Sequence, residues 1–149
     1  MLSLEDTSSI SRAAGNVAGK WASIDLDAAV AWTDALPDES KSEAARQVMY
    51  RYASKDPEQA ASWMRTMANQ EGYERVVEGY IWHTAREHPE LSLAQVPEIK
   101  DTRSQQRYYD RILRRWYERD ANAANNWMDA NNTPDKLRKS IQTPRESRR

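Results

Sequence analysis

The sequence contains four copies of one pattern at intervals of 31 or 32 residues, and this internal repeat limits the fold more than any other feature. Three copies are clear: "WASIDLDAAVAW" begins at Trp21, "YASKDPEQAASW" at Tyr52 and "WYERDANAANNW" at Trp116. A degenerate copy lies between the last two and has His88 where the others have aspartate. Repeats of this length build arrays in which each unit is one supersecondary element. We therefore expect a row of similar units.

The segment at the start of each copy has the periodicity of an amphipathic helix. In the second copy the small or bulky apolar residues recur in adjacent pairs every four positions: Ala44, Ala45, Val48, Met49, Tyr52 and Ala53. A helix of 3.6 residues per turn puts these positions on one face, whereas a strand would distribute them over two. Each copy is therefore predicted to begin with a helix.

The repeated motif predicts the turn that follows this helix. Asp56 is placed to accept hydrogen bonds from the free N–H groups of a new helix, and Pro57 suits the first turn of that helix. Gln59 stands at the reciprocal position of a capping box. A residue before proline avoids the helical conformation, so the preceding helix should end there. Asp25 and Asp120 are expected to cap in the same way, which makes each unit a helical hairpin.

We predict an all-α fold in which about four helical hairpins form a right-handed stack, an α–α superhelix. Hairpins of this size cannot bury both faces alone, so they are expected to stack in order. A single solenoid domain would cover residues 1–142, with a flexible basic tail at 143–149. The hairpins are expected at 9–36, 39–70, 72–97 and 101–132, and a short ninth helical segment is allowed near 136–142.

Two-helix repeats of this length resemble the α-solenoid class that includes tetratricopeptide-like and HEAT-like repeats. The resemblance covers nearly the whole chain. It departs from the tetratricopeptide consensus, which has Leu-Gly before a Tyr in the first helix, where this chain has Gln47-Val48-Met49 or Arg111-Ile112-Leu113. The resemblance implies that a concave face binds a protein or peptide, as in a scaffold or adaptor.

Few residues are available for catalysis or metal binding. The chain has two histidines, no cysteine and four dispersed glycines, and it lacks a phosphate-binding loop, a dinucleotide fingerprint and a nucleophile elbow. His83 and Glu87 are spaced i, i+4 and would suit a metal ion or an acid–base pair, but such a pair is more typical of ordinary surface polarity. We predict a non-enzymatic protein without cofactor or metal; an accessory domain of a larger enzyme or assembly is an alternative.

Aromatic residues recur at equivalent places in the repeat: Trp21, Trp32, Tyr52, Trp63, Trp116 and Trp127. Their recurrence favours packing in the core over a ligand-binding box. Trp82 and Tyr73 lie outside this register. They are therefore the better candidates for a surface role in partner binding.

Arginines recur every four residues along the predicted first helix of the fourth hairpin. We call them the arginine ridge: Arg103, Arg107, Arg111, Arg115 and Arg119, with Arg114 beside them. Each step drifts by about 40° around a helix, so the ridge winds across one face. Guanidinium groups pair bidentately with carboxylate or phosphate, so an acidic peptide or an RNA backbone would fit. The alternative is a solvated helix whose arginines pair with nearby acids, such as Arg114 with Asp110.

The uneven distribution of charge leaves three kinds of partner open. Residues 1–99 carry 9 Lys+Arg against 16 Asp+Glu, net -7, while residues 100–149 carry 13 against 7, net +6. A protein or peptide, preferably acidic, is the leading hypothesis. RNA or another polyanion is weaker because the whole chain has a net charge of -1. Head-to-tail self-association of the acidic front with the basic back is the third.

The N-terminal segment "MLSLEDTSSISRAAG" carries early acids and no apolar run, so it does not resemble a signal peptide. No stretch of the sequence approaches transmembrane length. We expect a soluble protein, or a soluble piece of a larger one, without a membrane partner and cytoplasmic by default.

Overall fold

A computed structural model describes residues 4–144, and over this range the chain forms nine α-helices, a short 3₁₀ helix at Val96–Glu98 and no strand. The all-α class is confirmed. The basic tail predicted at 143–149 lies outside the described residues from position 145 onward. The helices are α1 (Leu4–Ala22), α2 (Leu26–Asp34), α3 (Asp38–Lys55), α4 (Pro57–Arg65), α5 (Tyr73–Thr84), α6 (Pro89–Gln95), α7 (Thr102–Arg119), α8 (Ala121–Ala130) and α9 (Asp135–Gln142).

Each predicted hairpin range contains two helices, and the ninth segment is also helical. The bounds differ most at two ends, by five positions each: α1 begins at Leu4 rather than 9, and α4 ends at Arg65 rather than 70. Glu5 and Asp6 stand in the first turn of α1, where carboxylates offset the positive end of the helix dipole. Residues 4–8, which precede the predicted hairpin, therefore belong to α1 as well.

Three of the four hairpin turns carry the predicted aspartate cap. Oδ1 of Asp56 accepts a hydrogen bond from the Gln59 N–H at 2.9 Å, and Pro57 occupies the first turn of α4. Asp25 and Asp120 accept the corresponding bond at 3.0 Å each. The capping aspartates therefore start α2, α4 and α8.

The reciprocal role predicted for Gln59 is wrong. The Asp56 N–H donates to the Tyr52 carbonyl at 2.8 Å instead, so it is already used to end α3. In the degenerate copy, His88 occupies the cap position of α6 without a side-chain hydrogen bond to that helix. Each capping aspartate thus ends one helix with its backbone and begins the next with its side chain.

The contacts divide the chain into two compact units, the first ending at Thr84 and the second beginning at Ala85. In the first unit α3 packs against both α1 and α5, α2 packs against α1 and α3, and α4 packs against α3 and α5. Fully buried side chains fill this core: Val48, Met49, Met64, Met67, Val76, Val77 and Tyr80. In the second unit α7 packs against α6, α8 and α9.

The first two copies of the repeat make equivalent aromatic contacts. The rings of Trp21 and Trp32 lie 5.8 Å apart and are inclined by 50°. Those of Tyr52 and Trp63 lie 5.6 Å apart and are inclined by 47°. Both pairs join the two helices of a hairpin, which favours the packing role over a ligand box for these four residues.

A second pair of equivalent contacts joins successive first helices. Oγ of Ser11 donates to the Glu39 carbonyl at 2.8 Å, from α1 to α3. Oγ of Ser42, 31 positions later, donates to the Glu71 carbonyl just before α5. The repeat is therefore visible in the contacts of the first unit as well as in its sequence. The right-handed stack and the single domain remain predictions.

Candidate partner-binding surfaces

The arginine ridge lies along the exposed side of α7 in the second unit, and all five members are exposed. Arg103, Arg111 and Arg115 form no ion pair with any residue in the described range 4–144. Their charges are therefore available to an anionic ligand. The alternative in which nearby acids pair with every arginine of the ridge is therefore not observed in this part of the chain.

The two remaining members of the ridge have partners on the protein. A guanidinium N–H of Arg107 donates to Oγ of Ser104 at 2.7 Å. Arg119 donates to the carbonyl of Arg86. The two accepting groups, a hydroxyl and a backbone carbonyl, carry no charge. Both guanidinium groups therefore keep their attraction for an anion.

Arg114 does not belong to the exposed surface. Its side chain is only 5% exposed, and its Nη2 donates to Oδ1 of Asp110 at 2.9 Å and to Oγ of Ser140 in α9 at 3.3 Å. The step of about 100° that separates it from Arg115 turns it inward. The predicted pair with Asp110 is confirmed, and the role of Arg114 in partner contact is wrong because it is buried.

The two aromatic residues predicted at the surface differ in burial. Trp82 is 67% exposed on α5, which agrees with a surface role. Tyr73 is only 8% exposed, so its predicted surface position is wrong. It lies three and four residues before the buried Val76 and Val77 and therefore shares their face of the helix.

A pocket of about 390 Å³ opens in the second unit on the other side of α7. Its lining includes Tyr109 and Leu113, which flank Arg111 at a distance of two residues and thus point about 160° away from it. Trp127 adds a second aromatic wall, and Glu90 is the one charged side chain of the described lining. Burial raises the pKa of the Tyr109 hydroxyl. Most of the described lining is apolar or aromatic.

Sequence reasoning missed this pocket. Trp127 is in register with Trp63, and the register predicts that both pack in the core. In the structure Trp63 is nearly buried, whereas Trp127 is only half-buried and faces the pocket. No local signal distinguishes the two, because the difference depends on the neighbouring helices.

A polar cluster lies on α3 in the first unit. Glu43 accepts hydrogen bonds from Nη2 of Arg46 at 2.6 Å, from Nε of Arg46 at 3.2 Å and from Gln47 at 3.2 Å. Burial by itself raises the pKa of Glu43, but the hydrogen bonds from Arg46 and Gln47 outweigh it and hold that pKa below its ordinary value. The spacing of three and four residues was the sequence signal for these contacts.

His83 of α5 lies beside this cluster. Its ring meets the Tyr50 ring edge-on, with the centroids 4.8 Å apart. Burial first, and the charge of Arg46 second, lower the pKa of His83 below 6.5. Among residues 4–144 no three or more His, Cys, Asp or Glu side chains come together as a metal site. The cluster together with His83 forms a packed polar contact between α3 and α5.

Over the described part of the chain, none of the helices combines the length and the apolar character needed to cross a bilayer. Comparison of the chain with protein-family models, with curated proteins and with solved structures returns no match. The resemblance to tetratricopeptide-like or HEAT-like repeats therefore stays a prediction, and the surfaces described above are the basis for a functional proposal.

Proposed function

We propose that this protein is a non-enzymatic protein-binding module whose arginine ridge recognises an acidic segment of a partner protein. The observation that carries the proposal is the row of exposed guanidinium groups at Arg103, Arg111 and Arg115, which have no ion-pair partner among the described residues. Guanidinium groups bind carboxylates bidentately, with two parallel hydrogen bonds.

The spacing of the ridge suits an extended peptide. Residues four apart on a helix are separated by about 6 Å along its axis. In an extended chain every second side chain points to the same face, with a repeat of about 6.6 Å. A segment with Asp or Glu at alternate positions would therefore place its carboxylates near successive arginines. Because the ridge also winds by about 40° per step, the peptide would cross α7 at an angle.

Several arginines must act together for useful affinity. An exposed ion pair contributes only about 0.2–1 kcal/mol, and salt screens it over about 8 Å at physiological ionic strength. The ridge would contribute mainly to the rate of association and to selection of an acidic partner. Binding should weaken as salt is added.

A protein partner is favoured over RNA by the aromatic residues of α7. Sequence-tolerant RNA binding combines positive charge with exposed aromatic rings on which bases stack. The four aromatic residues of α7 are all half-buried: Tyr108, Tyr109, Trp116 and Tyr117. The charges of the ridge are therefore offered without a stacking surface.

We also propose that the four hairpins form an α-solenoid stack. The equivalent aromatic pairs and serine hydrogen bonds of the first two copies support this arrangement, because a stack repeats the same interface from unit to unit. The stack would present its first helices on one side.

The test is a binding measurement with a labelled peptide that carries Glu at every second position. Fluorescence anisotropy should show salt-sensitive binding, and the Arg107→Glu/Arg111→Glu/Arg115→Glu variant should weaken it by about tenfold or more. A matched control reverses three exposed arginines of the first unit, Arg12, Arg51 and Arg65, and should retain most of the affinity.

Two results would contradict the proposal. If the control variant loses as much affinity as the ridge variant, the effect is one of net charge rather than of the ridge. If single-stranded RNA of equal charge binds more tightly than the peptide and depends on the same arginines, the ridge is a polyanion site instead.

A further inference from the structure

The pocket of the second unit contains an indole ring that lacks the aromatic partner of its equivalent in the repeat. In the second copy Trp63 contacts the ring of Tyr52, with the centroids 5.6 Å apart. The corresponding residues of the fourth copy are Trp127 and Trp116. Neither forms a ring contact with any residue between 4 and 144. Trp127 lines the pocket instead.

The indole N–H of Trp127 also lacks the acceptor that its equivalent has. Nε1 of Trp63 donates to Oδ1 of Asp34, in the preceding copy, at 2.9 Å. The repeat register, with its steps of 31 and 32 residues, aligns Trp63 with Trp127 and Asp34 with Pro97. Proline has no side-chain acceptor. Over the described part of the chain, no group accepts a hydrogen bond from Nε1 of Trp127.

The residue that replaces the acceptor lies at the same pocket. Pro97 and Trp127 both belong to the lining, so the place equivalent to the Asp34 carboxylate is beside the pocket volume. Trp127 is half-buried, and an indole N–H that is shielded from water usually has a hydrogen-bond partner. An oxygen atom of a bound ligand would therefore complete the contact that Asp34 completes in the first unit.

The remaining lining favours an apolar ligand body. Leu93 of α6, Leu113 of α7 and Leu137 of α9 surround the pocket, and Tyr109 provides a second aromatic wall. Leu93 and Leu113 are almost completely buried, so they form the floor rather than the rim. The volume of about 390 Å³ lies at the lower end of the range for ligand pockets.

The charge of the lining disfavours an anionic ligand. Glu90 is the one charged side chain of the described lining. Within residues 4–144 it forms no ion pair. A ligand carboxylate would bring a second negative charge to the same pocket, and the two would repel each other. The ligand oxygen is therefore expected to belong to an uncharged carbonyl group.

Asn131 favours an amide over other carbonyl compounds. Its Nδ2 donates to the Trp127 carbonyl at 2.9 Å, which leaves Oδ1 of this lining residue as an acceptor. Oδ1 accepts no hydrogen bond from any other described residue. An amide carries a donor next to its carbonyl, so it has a use for such an acceptor.

We propose that the pocket binds an uncharged apolar amide whose carbonyl oxygen accepts a hydrogen bond from Nε1 of Trp127. The apolar substituent packs against Leu93, Leu113 and Tyr109. The chemistry is that of an apolar residue within a peptide or of a free small amide. The pocket lies on the other side of α7 from the arginine ridge, so this site stands apart from the proposed function.

Titration of the full chain with N-acetylleucine methylamide tests the proposal, with indole N–H signals followed in proton–nitrogen correlation spectra. The Trp127 signal, identified by its loss in Trp127→Phe, should shift in a saturable manner. Trp127→Phe keeps an aromatic wall but removes the donor, so the affinity measured from backbone signals should fall about threefold to tenfold. The matched control is Trp82→Phe, which removes an indole N–H outside the pocket and should leave the affinity unchanged.

Two further variants test the acceptor and the charge. Pro97→Asp restores the residue type found at Asp34 and should compete with the ligand for Nε1 of Trp127, so the affinity should again fall. Glu90→Gln should raise the affinity for N-acetylleucine, the free acid, and leave that for the methylamide nearly unchanged. Thermal unfolding followed by circular dichroism shows that each variant is folded.

Three results would overturn the proposal. The first is a Trp127 indole signal that does not move during the titration. The second is an equal affinity of the unmodified chain, Trp127→Phe and Pro97→Asp for the methylamide. The third is tighter binding of N-acetylleucine than of its methylamide, since the ligand would then be an anion. If the methylamide binds, a longer uncharged peptide with a central leucine distinguishes the sources: equal or tighter binding indicates a peptide segment, and loss of binding indicates a free small amide.

Discussion

Nε1 of Trp63 donates a hydrogen bond to Oδ1 of Asp34 at 2.9 Å, and this bond joins α4 to the last residue of α2. The two helices belong to consecutive copies of the repeat. Trp63 is nearly buried, so removal of the carboxylate would leave its indole N–H without an acceptor at a place largely shielded from water. The bond therefore links neighbouring copies of the repeat through a nearly buried donor and an exposed acceptor.

A double-mutant cycle should detect this link. Trp63→Phe removes the donor and Asp34→Ala removes the acceptor, and each is expected to lower the free energy of unfolding by about 1 kcal/mol or more. Because both changes break the same bond, the double variant should lose less than the sum. Urea denaturation measures the three values. Strict additivity would show that the bond contributes nothing to stability.

The aspartate caps should contribute to stability through their side-chain oxygen rather than their charge alone. Asp56→Ala is expected to cost about 1 kcal/mol, because the Gln59 N–H then loses its acceptor. Asp56→Asn keeps an oxygen at that position and should be nearly neutral. Thermal unfolding followed by circular dichroism compares the two. Equal losses in both variants would contradict the capping role.

The free energy of unfolding should fall more when Arg114 is left without its carboxylate partner than when both side chains are removed. Asp110→Ala leaves a guanidinium that is 5% exposed without its carboxylate, and a loss of about 3 kcal/mol is expected. Arg114→Met added to Asp110→Ala removes the buried charge and should recover part of that loss. Urea denaturation of both variants checks the order. A double variant less stable than Asp110→Ala would contradict the prediction.

The pH dependence of stability should carry a contribution from His83. Burial and Arg46 lower its pKa in the folded protein below the ordinary 6.5, so below pH 6.5 the unfolded chain binds more protons at this site than the folded one. The contribution is complete above pH 6.5 and is lost as the pH falls toward the folded pKa. His83→Gln should therefore flatten the stability curve below pH 6.5. Parallel curves for the two proteins would contradict this.

Helical periodicity predicts the exposure of some arginines of α7 correctly, but not of all. A spacing of four residues predicts that Arg103 to Arg119 share a winding face, and all five are exposed. Arg114 was predicted to lie beside the ridge and to contact a partner with it. In the structure Arg114 is buried and donates a hydrogen bond to Ser140 of α9. The 100° step separates Arg114 from the ridge, but its contact with Ser140 depends on a helix 26 residues away and cannot be read from α7 alone.

Residues at equivalent positions of the repeat can differ in burial. Val17 and Val48 occupy equivalent repeat positions, as do Trp63 and Trp127, yet one member of each pair is buried and the other is not. An equivalent position predicts an equivalent residue type. It does not predict whether a neighbouring element is present to cover that residue.

The sequence by itself determined the all-α class, the places of the hairpin turns and the aspartate caps of three second helices at Asp25, Asp56 and Asp120, since these depend on bonds between residues three or four apart. Only the tertiary structure decided that Arg114 contacts Ser140 of α9, that Trp127 faces a pocket and that Val17 of α1 stays exposed. Burial depends on helices distant in the chain, and local periodicity cannot specify which of them lies opposite.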